Sequence, residues 1–332
     1  MSLLSRSVGL LAPLGGIVVL LILVAITTPT FFSFDVMRLV LFQIALIGVT
    51  AIGQTLVLLV GGIDLSIGAV MVLTTVIVAS YTDGDNSRLW LAVLFAIGAA
   101  ILIGATNASL ILLRNVPPFV ATFAVLVLVQ GIVVAWTRGA PSGAIPDALD
   151  ALGKGRIFDM PIATLVFAAL ALFIGIVLSK TTIGRRVYAS GSNQRAARLS
   201  GVPTGWVIAG CYVVASLTAV LVGLINAGYI GYVDAALTRG IDLNSIAAAV
   251  IGGVALTGGR GRIEQTVLGV VVLAVLLTWL IQLDAGAAAQ QIVSGAVILL
   301  AVLLQNLQPR IRTTIPKTAV PNTAVPMKGI KP

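Results

Sequence analysis

Asp64 is the residue whose type and setting invite chemistry first. It stands in Gly61-Gly62-Ile63-Asp64-Leu65-Ser66-Ile67-Gly68, within an apolar stretch, residues 39–80, that no other charge interrupts. A carboxylate in hydrocarbon is expensive unless it faces a partner or a water-filled cavity. Paired glycines permit a broken helix whose freed backbone groups line a path. Two uses stay open at this point. Asp is a preferred N-cap and can open a helix at Leu65, or its carboxylate meets a solute passing through the bilayer.

Covalent chemistry has little to draw on. Histidine is absent, which removes the commonest general base and metal ligand. Cys211 is the sole cysteine, so one chain forms neither a disulfide nor a Cys-based metal site. An intramembrane enzyme would need a second catalytic group facing Asp64, and none is evident. No Gly-Lys-Ser/Thr run is present to cradle phosphates, so any use of ATP must fall to another chain. The expectation is a protein with no catalytic, cofactor-binding or metal-binding residues of its own.

A second glycine-rich interruption, Gly252-Gly253-Val254-Ala255-Leu256-Thr257-Gly258-Gly259-Arg260-Gly261-Arg262, echoes the first. Paired interruptions in the two halves of a transporter point to its central path, while small residues also serve close helix packing. Gln43, Gln54, Asn107, Gln130 and Asn226 lie inside apolar runs, where amides bond across helices or to a hydroxylated solute. Asn115-Val116-Pro117-Pro118-Phe119 marks a helix start, because proline suits the first turn.

The elements that must hold these residues are membrane helices. Apolar residues make up 59% of the 332, charged ones only 9%, and the mean hydropathy is +1.12. A soluble domain carries about 25% charged residues. As one helix, residues 39–80 would measure about 63 Å, about twice the hydrocarbon thickness, so the chain must cross, turn near Gly61-Gly62 and return. A return helix starting at Ile67 and ending at Ser80 would span only about 21 Å, which puts the glycine turn itself inside the membrane. Further spans are expected near residues 8–27, 89–113, 119–136, 161–179, 206–232, 243–256, 266–283 and 290–307. The fold class is therefore all-α, with about ten transmembrane helices including broken or re-entrant segments.

The net charge of +9 follows from the preference of Lys and Arg for the cytoplasmic side, not from nucleic-acid binding. With both termini cytoplasmic, the inner face takes Arg114, the Lys180-to-Arg198 group, Arg260, Arg262 and the tail, most of the 20 basic residues. Residues 1–307 form the transmembrane domain. Residues 308–332 form a basic cytoplasmic tail expected to be disordered. Two loops exceed a simple turn. Residues 137–160 lie outside, with a short surface helix expected near 145–152, and the basic loop 180–205 lies inside as a docking surface.

The motifs also match a family. Gly53-Gln54-Thr55, Gly61-Gly62-Ile63-Asp64-Leu65-Ser66, Pro117-Pro118-Phe119-Val120-Ala121-Thr122, Gly184-Arg185-Arg186, Gly191-Ser192-Asn193, Ala196-Ala197-Arg198-Leu199-Ser200-Gly201, and Gly252-Gly253-Val254 with Gly258-Gly259-Arg260-Gly261 follow one another in order. Over residues 8–307 the chain resembles the ribose, xylose, arabinose and galactose permeases of ABC importers. The sequence departs from the Glu-Ala-Ala signature of other importer families, and from the commoner Pro-Ala-Phe at Pro117-Pro118-Phe119. Neither departure identifies the sugar.

The resemblance implies a bacterial inner-membrane permease for a monosaccharide, working with a second permease subunit, a cytoplasmic ATPase that uses ATP and Mg, and a periplasmic binding protein. It lays the family's coupling helix, which seats in the ATPase, on Asn193, Arg195, Ala196, Ala197, Arg198, Ser200 and Gly201. Small Ala196 and Ala197 allow close approach, Arg195 and Arg198 reach acidic groups, and Gly201 can end the helix. The path or its broken helices are expected at Gly61, Gly62, Asp64, Ser66, Asn107, Phe119, Thr122, Gly252 and Gly253. The rival is an ion-coupled secondary transporter in which Asp64 binds a proton or sodium ion.

Overall fold

The computed structural model of the chain describes residues 3–233 and 240–307. The tail expected at 308–332 lies outside the described residues. The helices in chain order are α1 (Leu3–Thr27), α2 (Phe34–Leu59), α3 (Ile67–Thr82), α4 (Leu89–Leu113), α5 (Pro118–Thr137), α6 (Asp150–Gly153) and α7 (Ile162–Lys180). They continue as α8 (Thr182–Ser192), α9 (Gln194–Leu199), α10 (Thr204–Ile230), α11 (Ile241–Gly252), α12 (Ile263–Gln282) and α13 (Ala287–Leu307). Among the described residues 6 helices are long and apolar enough to cross a membrane: α2, the segment Asn86–Leu113 ending α4, α5, α7, α10 and α12. Four more apolar stretches are shorter: Leu14–Thr27, Ile67–Thr82, Ile241–Gly252 and Ala287–Leu300.

Each helix ends where its residues dictate. Pro118 opens α5 in the first turn, where a missing N–H costs nothing. Gly231, at φ 83°, closes α10 two residues before the apolar run is exhausted. The expected span 243–256 stops at Gly252 because Gly253 takes φ 103°, which only glycine adopts readily. The surface helix expected near 145–152 is a 3₁₀ turn at Asp147–Leu149 running into α6.

A small hairpin not anticipated from the sequence follows it. Strands β1 (Arg156–Ile157) and β2 (Met160–Pro161) pair antiparallel around Phe158 and Asp159, both left-handed. Asp159 is anchored to Arg38 at 2.7 Å.

Hydrocarbon supplies no hydrophobic drive for helix association, so the bundle rests on close packing and polar contacts. Helix α10 is the hub, packing against α2, α3 and α4. Gly53 of α2 sits so near Ala215 and Thr218 of α10 that a Cβ would meet the Ala215 backbone at 2.9 Å. Gly104 of α4 does the same against Val213, at 2.7 Å, and Gly223 of α10 against the Met71 carbonyl, at 2.9 Å. On the outside, α4 and α5 expose Leu102, Phe123 and Leu128.

Candidate functional site

Helix α2 does not run on into α3. It ends at Leu59, and Gly61 at φ 82° turns the chain while its N–H bonds the Leu58 carbonyl and that of Gly62 bonds Val57, both at 2.9 Å. Helix α3 begins at Ile67 with Ser66 as N-cap. The alternative in which Asp64 caps a helix starting at Leu65 is therefore replaced by a related arrangement. Asp64 Oδ1 accepts from the Ser66 N–H at 2.8 Å and from the Ser66 hydroxyl at 2.6 Å, a local turn that leads into the helix.

Neighbouring helices hold this turn from several sides. Asn107 of α4 donates Nδ2 to the Ser66 hydroxyl at 2.9 Å. Thr122 of α5 donates to the Ile63 carbonyl at 3.2 Å. Gln54 of α2, with its amide turned to satisfy both partners, donates to the Asp64 carbonyl at 3.0 Å and accepts from the Asp64 N–H at 3.2 Å. Gly62 lies against the Tyr212 ring of α10, where a Cβ would collide with the hydroxyl. Gln54, Asp64, Ser66, Asn107 and Thr122 are all fully buried.

Two acceptors in this cluster are left over. Asp64 Oδ2 and Asn107 Oδ1 are buried and make no hydrogen bond among the described residues, nor does the buried Tyr212 hydroxyl that lies against Gly62. Asp64 also has no ion pair among them; the ion pairs there join Arg38, Arg88 and Lys154 to aspartates elsewhere. An uncompensated buried acceptor is costly, so a group that supplies hydrogen-bond donors is favoured at this place. No cluster of three or more metal-ligating side chains exists among the described residues.

The second glycine break packs on the first. Val254 and Ala249 form a small cluster with Leu58 and Ile63, and Ile246 and Val250 another with Leu65. The N–H of Gly259 donates to the Leu59 carbonyl at 2.9 Å. Gly258, at φ 83°, lies so close to Gly61 that a Cβ would approach its backbone to 3.0 Å. Gly252 packs on the backbone of Gln265 and Thr266 in α12.

The basic segment between α7 and α10 folds as two short helices at this same end of the bundle. Thr181 caps α8, accepting from Gly184 N–H at 3.3 Å. Asn193 caps α9, accepting from Ala196 N–H at 3.0 Å. Gly201, at φ 80°, closes α9 as expected, with Val202 N–H bonded to the Ala197 carbonyl at 3.0 Å. Ala197 is buried, whereas Arg195, Ala196 and Ser200 are exposed. Arg198 is exposed and its Nε reaches Thr204 Oγ1 at 3.4 Å. Leu199 and Trp206 add exposed apolar surface, 84% and 83% accessible.

Of the residues nominated for the path, Gly61, Gly62, Asp64, Ser66, Asn107 and Thr122 come together in one network. Phe119 does not join it. The residue is more than half exposed and its ring stacks on that of Phe123. Gly252 and Gly253 shape the second break without reaching Asp64 directly. Gln54, expected from its amide inside an apolar run to bond across helices or to a solute, holds the Asp64 peptide instead, whereas Tyr212 carried no signal in the sequence. At the far end of α3, a cleft of about 500 Å³ is lined by Ser80, Asp83, Trp136, Arg138 and Ser142.

A family described as "Branched-chain amino acid transport system / permease component" matches residues 36–302. The ribose import permease protein RbsC of Escherichia coli (strain K12) is 34% identical over 299 residues, covering 88% of this chain and 92% of that protein. RbsC of Bacillus subtilis (strain 168) is also 34% identical over 299 residues, covering 89% and 92%. The L-arabinose transport system permease protein AraH of Escherichia coli (strain K12) is 30% identical over 300 residues, covering 90% of each. No solved structure matches significantly.

Proposed function

The chain belongs to the branched-chain amino acid transport system permease family, and on that premise we propose that it is the membrane subunit of an ATP-binding-cassette importer for a monosaccharide. The solute is a pentose or hexose handed over by a periplasmic binding protein, and the subunit pairs with a second permease in the bacterial inner membrane. ATP and Mg are bound and used by a separate cytoplasmic ATPase; this chain binds no cofactor. Choice of a sugar over an amino acid rests on relatives named for ribose and arabinose import.

The observation that carries the reading is the broken helix at Asp64. Two buried acceptors, Asp64 Oδ2 and Asn107 Oδ1, stand unmatched among apolar helices, and a polyhydroxylated solute brings the donors they lack. With Asp64 fully buried, the break is shut in this conformation. Transport then requires the Gly61-Gly62 turn to open as the helix bundles rock, with ligand and nucleotide shifting one two-state equilibrium.

Ten spans with both termini cytoplasmic accommodate the six long helices and the four shorter apolar ones. The break at Asp64 then faces the inner half of the bilayer, on the side of the α8–α9 segment. The exposed face of that segment, Arg195, Ala196 and Leu199 with neighbouring Trp206, suits an ATPase surface that offers acidic groups around an apolar groove. Residues 1–307 serve as the transmembrane domain and 180–205 as its coupling loop.

Uptake of labelled ribose, arabinose, fructose and leucine by cells expressing the permease with its cognate partners tests the reading. A monosaccharide is expected to accumulate. Accumulation of leucine alone would refute the sugar assignment while leaving the permease role intact.

A further inference from the structure

The end of α8 is locked, main chain to main chain, onto both glycine breaks. Gly191 lies so close to α2 that a Cβ would collide with the Leu59 carbonyl oxygen and come within 2.8 Å of the Gly259 nitrogen. That carbonyl is the one that accepts from the Gly259 N–H. A Cβ on Gly259 would in turn meet the Ser192 main chain at 2.7 and 2.8 Å, and one on Gly258 the Gly191 carbonyl at 2.9 Å. Three separate chain segments thus meet through their main chains, with the short Ser192 side chain also against Gly259. A second tie lies one turn earlier, where the Tyr188 hydroxyl donates to the Gly261 carbonyl at 2.9 Å.

The chemistry of the contact determines what it can transmit. Side chains at an interface absorb small displacements by changing rotamer, but backbones in direct contact must move together or separate. Gly191 precedes Gln194, the first residue of α9, by three positions, and Leu59 precedes Asp64 by five. Gln54, on the last turns of α2, also grips the Asp64 peptide. Any shift of α9 therefore reaches the Asp64 turn through a very short run of rigid contacts.

We infer that Tyr188, Gly191 and Ser192, meeting Leu59 and Gly258-Gly259, form a clasp that couples movement of the α8–α9 segment to opening of the helix break at Asp64. These are positioning residues: none touches solute or nucleotide, and the clasp rests on the reading of α8–α9 as the ATPase-facing segment. Gly191 and Gly259 are glycines because any Cβ would prise the segments apart; at Gly259 the left-handed φ of 69° adds a second reason.

The test uses the permease–ATPase complex in proteoliposomes, with Cys211→Ala and a reporter Ile63→Cys at the break. The rate of Ile63→Cys modification by a small methanethiosulfonate is measured without nucleotide and after trapping with ATP and vanadate. In the otherwise unaltered protein the rate changes on trapping. Gly191→Ala is expected to shrink that change about threefold or more, with ATP hydrolysis retained, and Tyr188→Phe to shrink it less.

A full-sized response in both variants would overturn the clasp. Should Gly191→Ala fail to assemble, Tyr188→Phe decides alone, since it adds no atom, and an undiminished response there would be equally contrary. No nucleotide response in the unaltered protein would instead overturn the ATPase-facing reading, and the clasp with it.

Discussion

Asn107 reaches from α4 to the hydroxyl of Ser66, at 2.9 Å, and so holds in place the group that itself bonds Asp64. The carboxylate thus has one oxygen fixed by the turn and one left over. This division predicts how substitutions at Asp64 behave.

Asp64→Asn keeps an oxygen for the Ser66 N–H and hydroxyl and puts an amide NH2 in place of Oδ2, which a sugar hydroxyl can meet as acceptor instead of donor, so it is expected to retain most of the uptake rate. Asp64→Leu strands the buried Ser66 N–H, at a cost of about 1–3 kcal/mol, and should lower both folded yield and uptake. Initial uptake rates normalised to membrane-inserted protein separate the two. Loss of uptake in the Asn variant as complete as in the Leu variant, with assembly intact, would show that the negative charge itself is required.

Ala196 is exposed on α9 next to buried Ala197. Ala196→Trp should leave insertion and folding unchanged, because Ala196 is exposed among the described residues, yet uncouple ATP hydrolysis from uptake. The ratio of ATP hydrolysed to solute moved is the readout. An unchanged ratio would remove α9 from the coupling role.

The ten-span topology predicts opposite labelling at two exposed sites. In a Cys211→Ala background, Ser142→Cys should react with an impermeant thiol reagent from outside, and Gln194→Cys only from within. The reversed pattern would invert the orientation, and labelling of both from one side would break the span count.

Close helix packing predicts a contrast within α4. Gly104→Leu forces side-chain atoms onto the Val213 backbone and should destabilise the protein by about 1–3 kcal/mol. Gly98→Ala, where nothing lies within 4 Å of the added carbon, should cost nothing and, by helix propensity, stabilise by up to about 1 kcal/mol. Thermal melting in detergent measures both, and equal losses would mean that packing against α10 is not what limits stability.

Much of the site could be read before the structure. The start of a return helix at Ile67, the case from which chain length puts the glycine turn inside the bilayer, is where α3 begins. Of Ser66, Asn107 and Thr122, all expected at the path, Ser66 bonds Asp64 itself, Asn107 bonds Ser66, and Thr122 bonds the neighbouring Ile63 carbonyl. Phe119 was named alongside them but turns outward, because in a helix that is apolar all round the pattern does not separate the lipid face from the protein face. The Gly191 contact was out of reach for a different reason. Its glycine is demanded by Leu59 and Gly259, residues distant in sequence, so only the packed chain reveals what the small residue is for.

The central claim is that this chain moves a monosaccharide under power supplied by a separate ATPase. Uptake of a labelled pentose into proteoliposomes containing the permease, its ATPase and the binding protein tests it most directly, with ATP enclosed or, alternatively, with only a proton or sodium gradient imposed. Uptake is expected to need the ATPase and ATP and to be indifferent to ionophores. Uptake driven by the gradient through the permease alone would contradict it and restore Asp64 as an ion-binding carboxylate.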